Sequence, residues 1–369
     1  MARDYAIYVH IPFCKSRCYY CAFSSCVDFS RQSAYFDKLC NEVAQADVSD
    51  VKQISTMFWG GGTPSSVETP FLQKLYNALS IKFSLKNLQE FTVECNPESV
   101  TDEKLQFFKE IGVNRISFGL QSVNDDTLKK IGRLHTYGQF LSALDRAQRA
   151  GFSDINADLI LGLPESRESF LHTVQTVAQL PLQHVSLYAL EIHDENSDFA
   201  KLCQSYGHTE DDLADMYDAG RVILREKGFE RYEVSNFAKR GFRCKHNLVY
   251  WRENRYFGFG ASAAGFVKNT RYVNNFSVVD YTHNIDTVSC AENISVEEEM
   301  REFAMLGLRL QEGISLDEFS ARYGKNFFEV FPVGRKLIGK GFLQSEKGRV
   351  FVPDDKFYVL NGILVELFG

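Results

Sequence analysis

The chain has 369 residues, 44% apolar and 14% aromatic, with 41 Lys and Arg against 48 Asp and Glu for a net charge of −7. That length fits two domains, or one large α/β domain with an appendage. The composition excludes a disordered chain, no apolar run reaches the ~18–20 residues that cross a bilayer, and the acidic balance argues against a nucleic-acid partner. The start, Met-Ala-Arg-Asp, passes straight into a strand-like run and lacks the apolar stretch of a secretory signal.

Short β-rich runs recur in the first half: Ala6 to Ile11, Ile54 to Trp59, Phe91 to Glu94, Arg115 to Gly119, Ile155 to Ile160 and His184 to Ala189. Helical patterns separate them: Tyr35 to Asp47, Pro70 to Ile81, Thr101 to Ile111, Asp125 to Ile131, Tyr137 to Ala150 and Glu168 to Gln179. This alternation predicts an α/β fold, a six-stranded partial (βα)6 barrel over residues 1–230. Parallel α/β sheets bind ligands at the carboxyl ends of their strands, so the residues just after each strand matter most.

The rhythm changes after about residue 205. An acidic stretch, Glu210 to Asp218, opens a helix running towards Lys227. A connecting region, 231–290, is rich in glycine and aromatics, and Arg221 to Arg255 carries an excess of Lys and Arg. Residues 291–369 predict helices over Val296 to Leu310, Leu316 to Tyr323 and Phe327 to Ile338, a hairpin around Lys347-Gly348, and a closing helix over Asp354 to Leu367. The order is that of a small helical, winged-helix-like domain. Its charges nearly cancel, which favours packing within the chain over DNA binding.

Nine cysteines without an export signal point to a reducing cytosol, where clustered cysteines bind metal or do redox chemistry. Six are scattered. Cys14, Cys18 and Cys21 follow the first strand with the spacing C-x3-C-x2-C. A structural zinc takes four ligands, and Cys26 and His10 are the candidates for a fourth. An iron–sulfur cluster also takes thiolates, and three of them leave one iron of a four-iron cluster open to a small molecule.

The run Tyr8-Val9-His10-Ile11-Pro12-Phe13-Cys14, with Cys18, Tyr20 and Cys21, resembles the radical S-adenosylmethionine (SAM) superfamily. Within it the segment resembles the oxygen-independent coproporphyrinogen III oxidases and the related haem chaperones of the HemW type. The resemblance implies a [4Fe-4S] cluster on Cys14, Cys18 and Cys21, with SAM on the fourth iron. It extends to Gly61, Gly62 and Thr63 in Trp59-Gly60-Gly61-Gly62-Thr63-Pro64, to Glu94, Gln121, Arg133 and Asp158, and to Ala189 after the sixth strand. With Tyr8 and Tyr20 these are the SAM-contacting positions that the resemblance implies. The Arg suits an anionic carboxylate.

Between the branches, two departures favour the chaperones: only seven residues precede Tyr8, where the oxidases carry an N-terminal arm, and Phe23 stands where they continue with a further Cys. His246-Asn247-Leu248-Val249-Tyr250-Trp251 resembles the chaperones' H-N-x-x-Y-W signature. A neutral imidazole of His246 can ligate haem iron, with Asn247, Tyr250 and Trp251 beside it. The resemblance thus implies haem as cargo, haem-receiving respiratory proteins as partners, and a cytosolic protein or one held peripherally at a membrane. The alternatives are an oxidase that decarboxylates coproporphyrinogen III and a radical SAM methyltransferase acting on haem.

Overall fold

The computed structural model describes residues 3–283 and 286–369. Six strands, β1 (Arg3–Ile11), β2 (Val51–Gly61), β3 (Glu90–Cys95), β4 (Arg115–Gln121), β5 (Asp154–Leu161) and β6 (His184–Ala189), run parallel in chain order. Helices α1 (Gln32–Gln45), α2 (Thr69–Lys82), α3 (Asp102–Glu110), α4 (Asp125–Lys130), α5 (Tyr137–Arg149) and α6 (Arg167–Val177) connect them. α5 starts where its pattern starts: Thr136 caps it and Gln139 reaches back to the Thr136 backbone, which fills two otherwise unpaired amides.

Each of these strands alternates. Ile7, Val9 and Ile11 of β1, Met57 and Trp59 of β2, Phe91 and Val93 of β3, Ile116 and Phe118 of β4, Ile155, Ala157 and Leu159 of β5, and Val185 and Leu187 of β6 join the main core with the helices. The residues between them are largely polar and pair with one another inside the barrel: Asn156 Nδ2 donates to Ser117 Oγ at 2.7 Å, and Asn156 Oδ1 meets His184 Nδ1 at 2.6 Å. Parallel strands with both faces covered are usually apolar throughout, and barrel interiors are usually filled by branched aliphatics. A polar barrel interior therefore marks a place where a ligand is handled.

The chain then passes through α7 (Asp198–Gln204) and α8 (Glu210–Glu226) to β7 (Glu230–Arg231) and β8 (Asn236–Ala238), and β8 pairs antiparallel with β6. Helix α9 (Lys245–Trp251) follows. Strand β9 (Arg255–Phe259) joins β1 in parallel, and β10 (Ala264–Val267), β11 (Thr270–Asn274) and, past α10 (Val278–His283), β12 (Val288–Asn293) extend that edge. Among the described residues the six-stranded barrel is thus the middle of a twelve-stranded sheet. The 231–290 segment builds both flanks of that sheet.

A second core gathers α11 (Val296–Gly307), β13 (Ile314–Ser315), α12 (Leu316–Tyr323), α13 (Phe327–Val330), α14 (Val333–Gly339), the hairpin β14 (Gln344–Glu346) and β15 (Arg349–Phe351), and α15 (Leu360–Phe368). Lys347 and Gly348 turn the hairpin with positive φ of 49° and 73°. The expected continuous helix from Phe327 to Ile338 is broken at Phe331-Pro332, because proline has no amide to give the preceding turn. The closing helix is α-helical only from Leu360; Asp354–Val359 winds as a 3-10 turn.

A cavity at the carboxyl ends of the barrel strands

The loop after β1 is tied at its neck. Cys14 N donates to Cys26 O at 3.0 Å and Cys26 N to Pro12 O at 2.8 Å, while buried Phe13 packs among Phe29, Tyr35 and Phe36. Cys14, Cys18 and Cys21 stand half-buried on this loop and face one cavity of ≈ 600 Å³. Cys14 Sγ lies 3.4 Å from Thr63 Oγ1, and Arg133 Nη1 donates to Cys18 Sγ at 3.6 Å. Burial pushes the Cys14 thiol up to about 11, so a centre held by thiolates has to displace protons.

Neither candidate for a fourth zinc ligand is available. His10 pairs through Nδ1 with Tyr8 Oη and through Nε2 with Ser24 O, and Cys26 Sγ turns to Asp28 O. Among the described residues no three His, Cys, Asp or Glu side chains close on a single-ion position. The donor set that remains, three thiols on one loop beside an open cavity, suits an iron–sulfur cluster with one iron left free.

The glycine turn after β2 is demanded by crowding. A Cβ at Gly61, where φ is +101°, would sit 2.3 Å from the His10 ring, and one at Gly62 would sit 2.5 Å from the Pro12 backbone. Thr63 N donates to Phe13 O at 2.9 Å, which locks this turn to the cysteine loop. Gly61 N also donates to Glu94 Oε2 at 3.0 Å. Burial, reinforced by the charge of Asp158, pushes the Glu94 carboxyl up to about 8. Asp158 sits within β5 rather than after it, accepting from Asn156 Nδ2 at 2.8 Å and Ser117 Oγ at 3.3 Å.

Gln121 and Arg133, like Ser25 with its unpaired Oγ, keep hydrogen-bonding capacity in reserve. Gln121 is held at φ 73°, a conformation a non-glycine residue adopts at a cost, and its buried Oε1 has no partner. Arg133 gives Nη2 to Asn96 Oδ1 at 2.7 Å, but its buried Nε is unpaired. Buried polar atoms are normally satisfied, so these mark where a polar ligand completes the site. The residues fit the amino-acid and ribose moieties of SAM in chemistry, and the cavity has the size of a small-molecule site.

Of the expected SAM positions, Tyr20, Gly61, Gly62, Thr63, Glu94, Gln121, Arg133, Asp158 and Ala189 all line this one cavity. Tyr8 is the correction: its ring packs on Phe58 and its hydroxyl meets His10 Nδ1 at 3.0 Å, so it stands behind the cavity wall. Sequence reading missed Asn96, Ser117, Asn156, Ser186 and Tyr188, which also line it. The signal was there for most of them: Ser117, Asn156, Ser186 and Tyr188 are the polar members of the period-2 alternation.

The His246 segment departs most from expectation. Helix α9 enters the opposite end of the barrel, and His246 is 1% exposed. Its Nδ1 pairs with Thr56 Oγ1 at 2.9 Å and its Nε2 with Tyr250 Oη at 2.8 Å, with Phe58 stacked on the ring. Burial, with the nearby Arg115 charge, pulls its pKa down to about 3. The imidazole is neutral, as expected, but in this structure it presents no nitrogen to an iron, because Thr56 of β2 takes one and Tyr250 of its own helix takes the other. Tyr250 serves it and Trp251 is half-buried at the helix end; of the four expected haem residues only Asn247 lines the cavity.

Residues 8–177 match the Radical SAM superfamily and residues 294–355 the HemN C-terminal domain. The chain is 34% identical to the heme chaperone HemW of Bacillus subtilis, over 98% of this chain and 97% of that protein. The chain belongs to the HemW family of radical SAM proteins. HemW of Escherichia coli is 31% identical over 98% of the chain and 97% of its own length. The coproporphyrinogen III oxidase HemN of Escherichia coli, a radical SAM enzyme, superposes with a TM-score of 0.84 over 99% of this chain and 90% of its own, at 21% identity. That likeness is one of fold. The sequence relationship lies with HemW proteins, as the motif comparison implied.

Proposed function

We propose that this protein is a haem chaperone, which binds haem and passes it to haem-dependent proteins, respiratory enzymes first among them. The observation that carries this reading is the end-to-end similarity to HemW proteins named as heme chaperones. Cys14, Cys18 and Cys21 would hold a [4Fe-4S] cluster, and Glu94, Gln121, Arg133 and Asp158 with the Gly61-Gly62-Thr63 turn would hold SAM. Together a reduced cluster and SAM supply one-electron, radical chemistry.

The chain's own residues prepare that site. Arg133 bridges the cysteine loop and the strand ends, so its guanidinium can meet a carboxylate beside the thiols. Glu94, largely protonated near neutral pH, can donate as well as accept. Gly61 and Gly62 let the turn pack directly on His10 and Pro12, which sets Thr63 beside Cys14. The protein would work in the cytosol with peripheral contact to a membrane; among the described residues no helix is long and apolar enough to cross one.

The test is anaerobic reconstitution followed by titration with haem, transfer to an apo-haemoprotein, and product analysis with coproporphyrinogen III. Stable haem binding with transfer supports the chaperone. Turnover to protoporphyrinogen IX replaces it with the oxidase, and methylated haem with a methyltransferase.

A further inference from the structure

A haem chaperone has to offer the iron a ligand, and the structure narrows the choice among the chain's eight histidines. His10, His184 and His246 are buried with both ring nitrogens paired. His135 is buried against Glu98. His208 and His283 each hold a carbonyl, of Glu165 and Val279, through one ring nitrogen, and neither lines the cluster cavity. His172 and His193 remain, and of these His193 lines the cluster cavity. It is exposed, and among the described residues neither of its ring nitrogens has a partner.

The exposed members of the cavity lining fall into two groups. Arg17, Ala22 and Phe23 come from the cysteine loop after β1; Tyr188, Ala189, Glu191 and His193 come from the end of β6 and the loop after it. β1 and β6 are the first and last strands of the six-stranded arc, so these groups form two lips across one mouth. Phe23 is 67% exposed and Tyr188 41%, so two large aromatic side chains are left uncovered at the cavity mouth. An apolar plate with an anionic edge and a metal at its centre matches all three features: aromatic lips for its faces, Arg17 for a carboxylate, and a free imidazole for the metal.

We propose that haem docks on this outer lip, with His193 as an axial iron ligand, Phe23 against the porphyrin and Arg17 at a propionate, outside the space that SAM and the cluster take. The inference rests on the chaperone reading and deepens it. It moves the iron ligand from the buried His246 to the cavity mouth and sets the cargo beside the redox site.

Ferric haem titrated into the full-length, cluster-loaded protein and followed through its Soret band tests this. His193 lies on an exposed loop, so iron and sulfide content should be unchanged in His193→Gly. Haem binding should weaken by at least roughly tenfold, the loss that even an outer-shell change brings at a metal site. Added imidazole should restore the wild-type band, which a merely structural role would not allow, and His193→Met should bind haem with a shifted band. A wild-type band and affinity in His193→Gly, a loss that imidazole does not reverse, or loss of the band in Tyr188→Phe or His246→Ala instead, each overturns the assignment and leaves the chaperone standing. Absence of haem binding by the wild type overturns both.

Discussion

The two ends of the barrel are built from the same strands, yet they differ in what faces their unpaired polar atoms: an open cavity at one, an opposite charge of the chain at the other. At the carboxyl ends Gln121 Oε1 and Arg133 Nε are buried without partners, Gln121 is strained, and both side chains line an open cavity. At the amino ends Glu90 accepts from Cys244 Sγ and from the amides of Lys245 and His246, and His246 has both nitrogens paired. Unfilled hydrogen-bonding capacity held in place at a cost belongs to a ligand site. The amino end is closer to a closed network: even Arg115 Nε and Asp154 Oδ1, which make no hydrogen bond, face each other as an ion pair at 3.6 Å, and that belongs to a scaffold. The difference separates two motifs, Cys-rich and His-aromatic, that the sequence alone presents as equals.

The largest effect expected at the carboxyl end is loss of the cluster. Cys14→Ser, Cys18→Ser and Cys21→Ser should each abolish or cripple [4Fe-4S] assembly, read by anaerobic iron and sulfide analysis. Far-UV circular dichroism should stay native, because no core contact depends on these thiols. Stoichiometric zinc without sulfide in the wild type would break the comparison at its root.

Next comes SAM. Arg133→Ala removes a charged donor, and hydrogen bonds to charged groups contribute about 1.5–3 kcal/mol, so affinity for SAM should fall about tenfold or more. Equilibrium dialysis on the cluster-loaded protein measures this. Unchanged affinity would mean that the unpaired Nε serves something else.

The carboxyl-end site was legible because its logic is local. Most of its main residues lie in or just after the carboxyl-terminal part of a strand that the βα alternation already marks, and Cys14, Cys18 and Cys21 lie within one loop. His246 was not legible for the opposite reason: its partners Thr56 and Glu90 lie 190 and 156 residues away. The i, i+4 spacing of His246 and Tyr250 hints at one ring partner, but no spacing in the motif reveals that Thr56 takes the other nitrogen or that Glu90 holds the backbone amide. His193 lies in an aperiodic loop and carries no motif. Pro332 is a helix break that local sequence carries, since its missing amide interrupts the Phe327 to Ile338 pattern.

At the amino end a stability effect should replace a ligand effect. His246→Ala leaves the buried hydroxyls of Thr56 and Tyr250 without their partner, which costs about 1–3 kcal/mol. The denaturation midpoint should fall while iron, sulfide and the haem spectrum hold. A lost haem spectrum with unchanged stability would assign His246 to the cargo after all.

The smallest effect compares one carboxyl group at each end. Burial pushes both Glu94 and Glu253 up to about 8, each with a second carboxylate nearby, Asp158 and Glu299 respectively. Between the ordinary value of 4.5 and about 8 the folded protein keeps a proton that the unfolded chain has released. Stability therefore falls as pH rises through that window. Glu253→Gln removes this contribution, so the variant should gain on the wild type in melting temperature as pH is raised from 5 to 8. Glu253 is held by Arg322 and Tyr323 of the C-terminal domain, away from the cavity, so its slope should not respond to SAM. Glu94 lines the cavity, and a bound cationic sulfonium or ammonium would favour its ionised form, so SAM should flatten the corresponding slope lost in Glu94→Gln. If SAM changed the Glu253 slope as well, the two ends would be coupled through the polar interior of the barrel, and the scaffold end would be part of the working site.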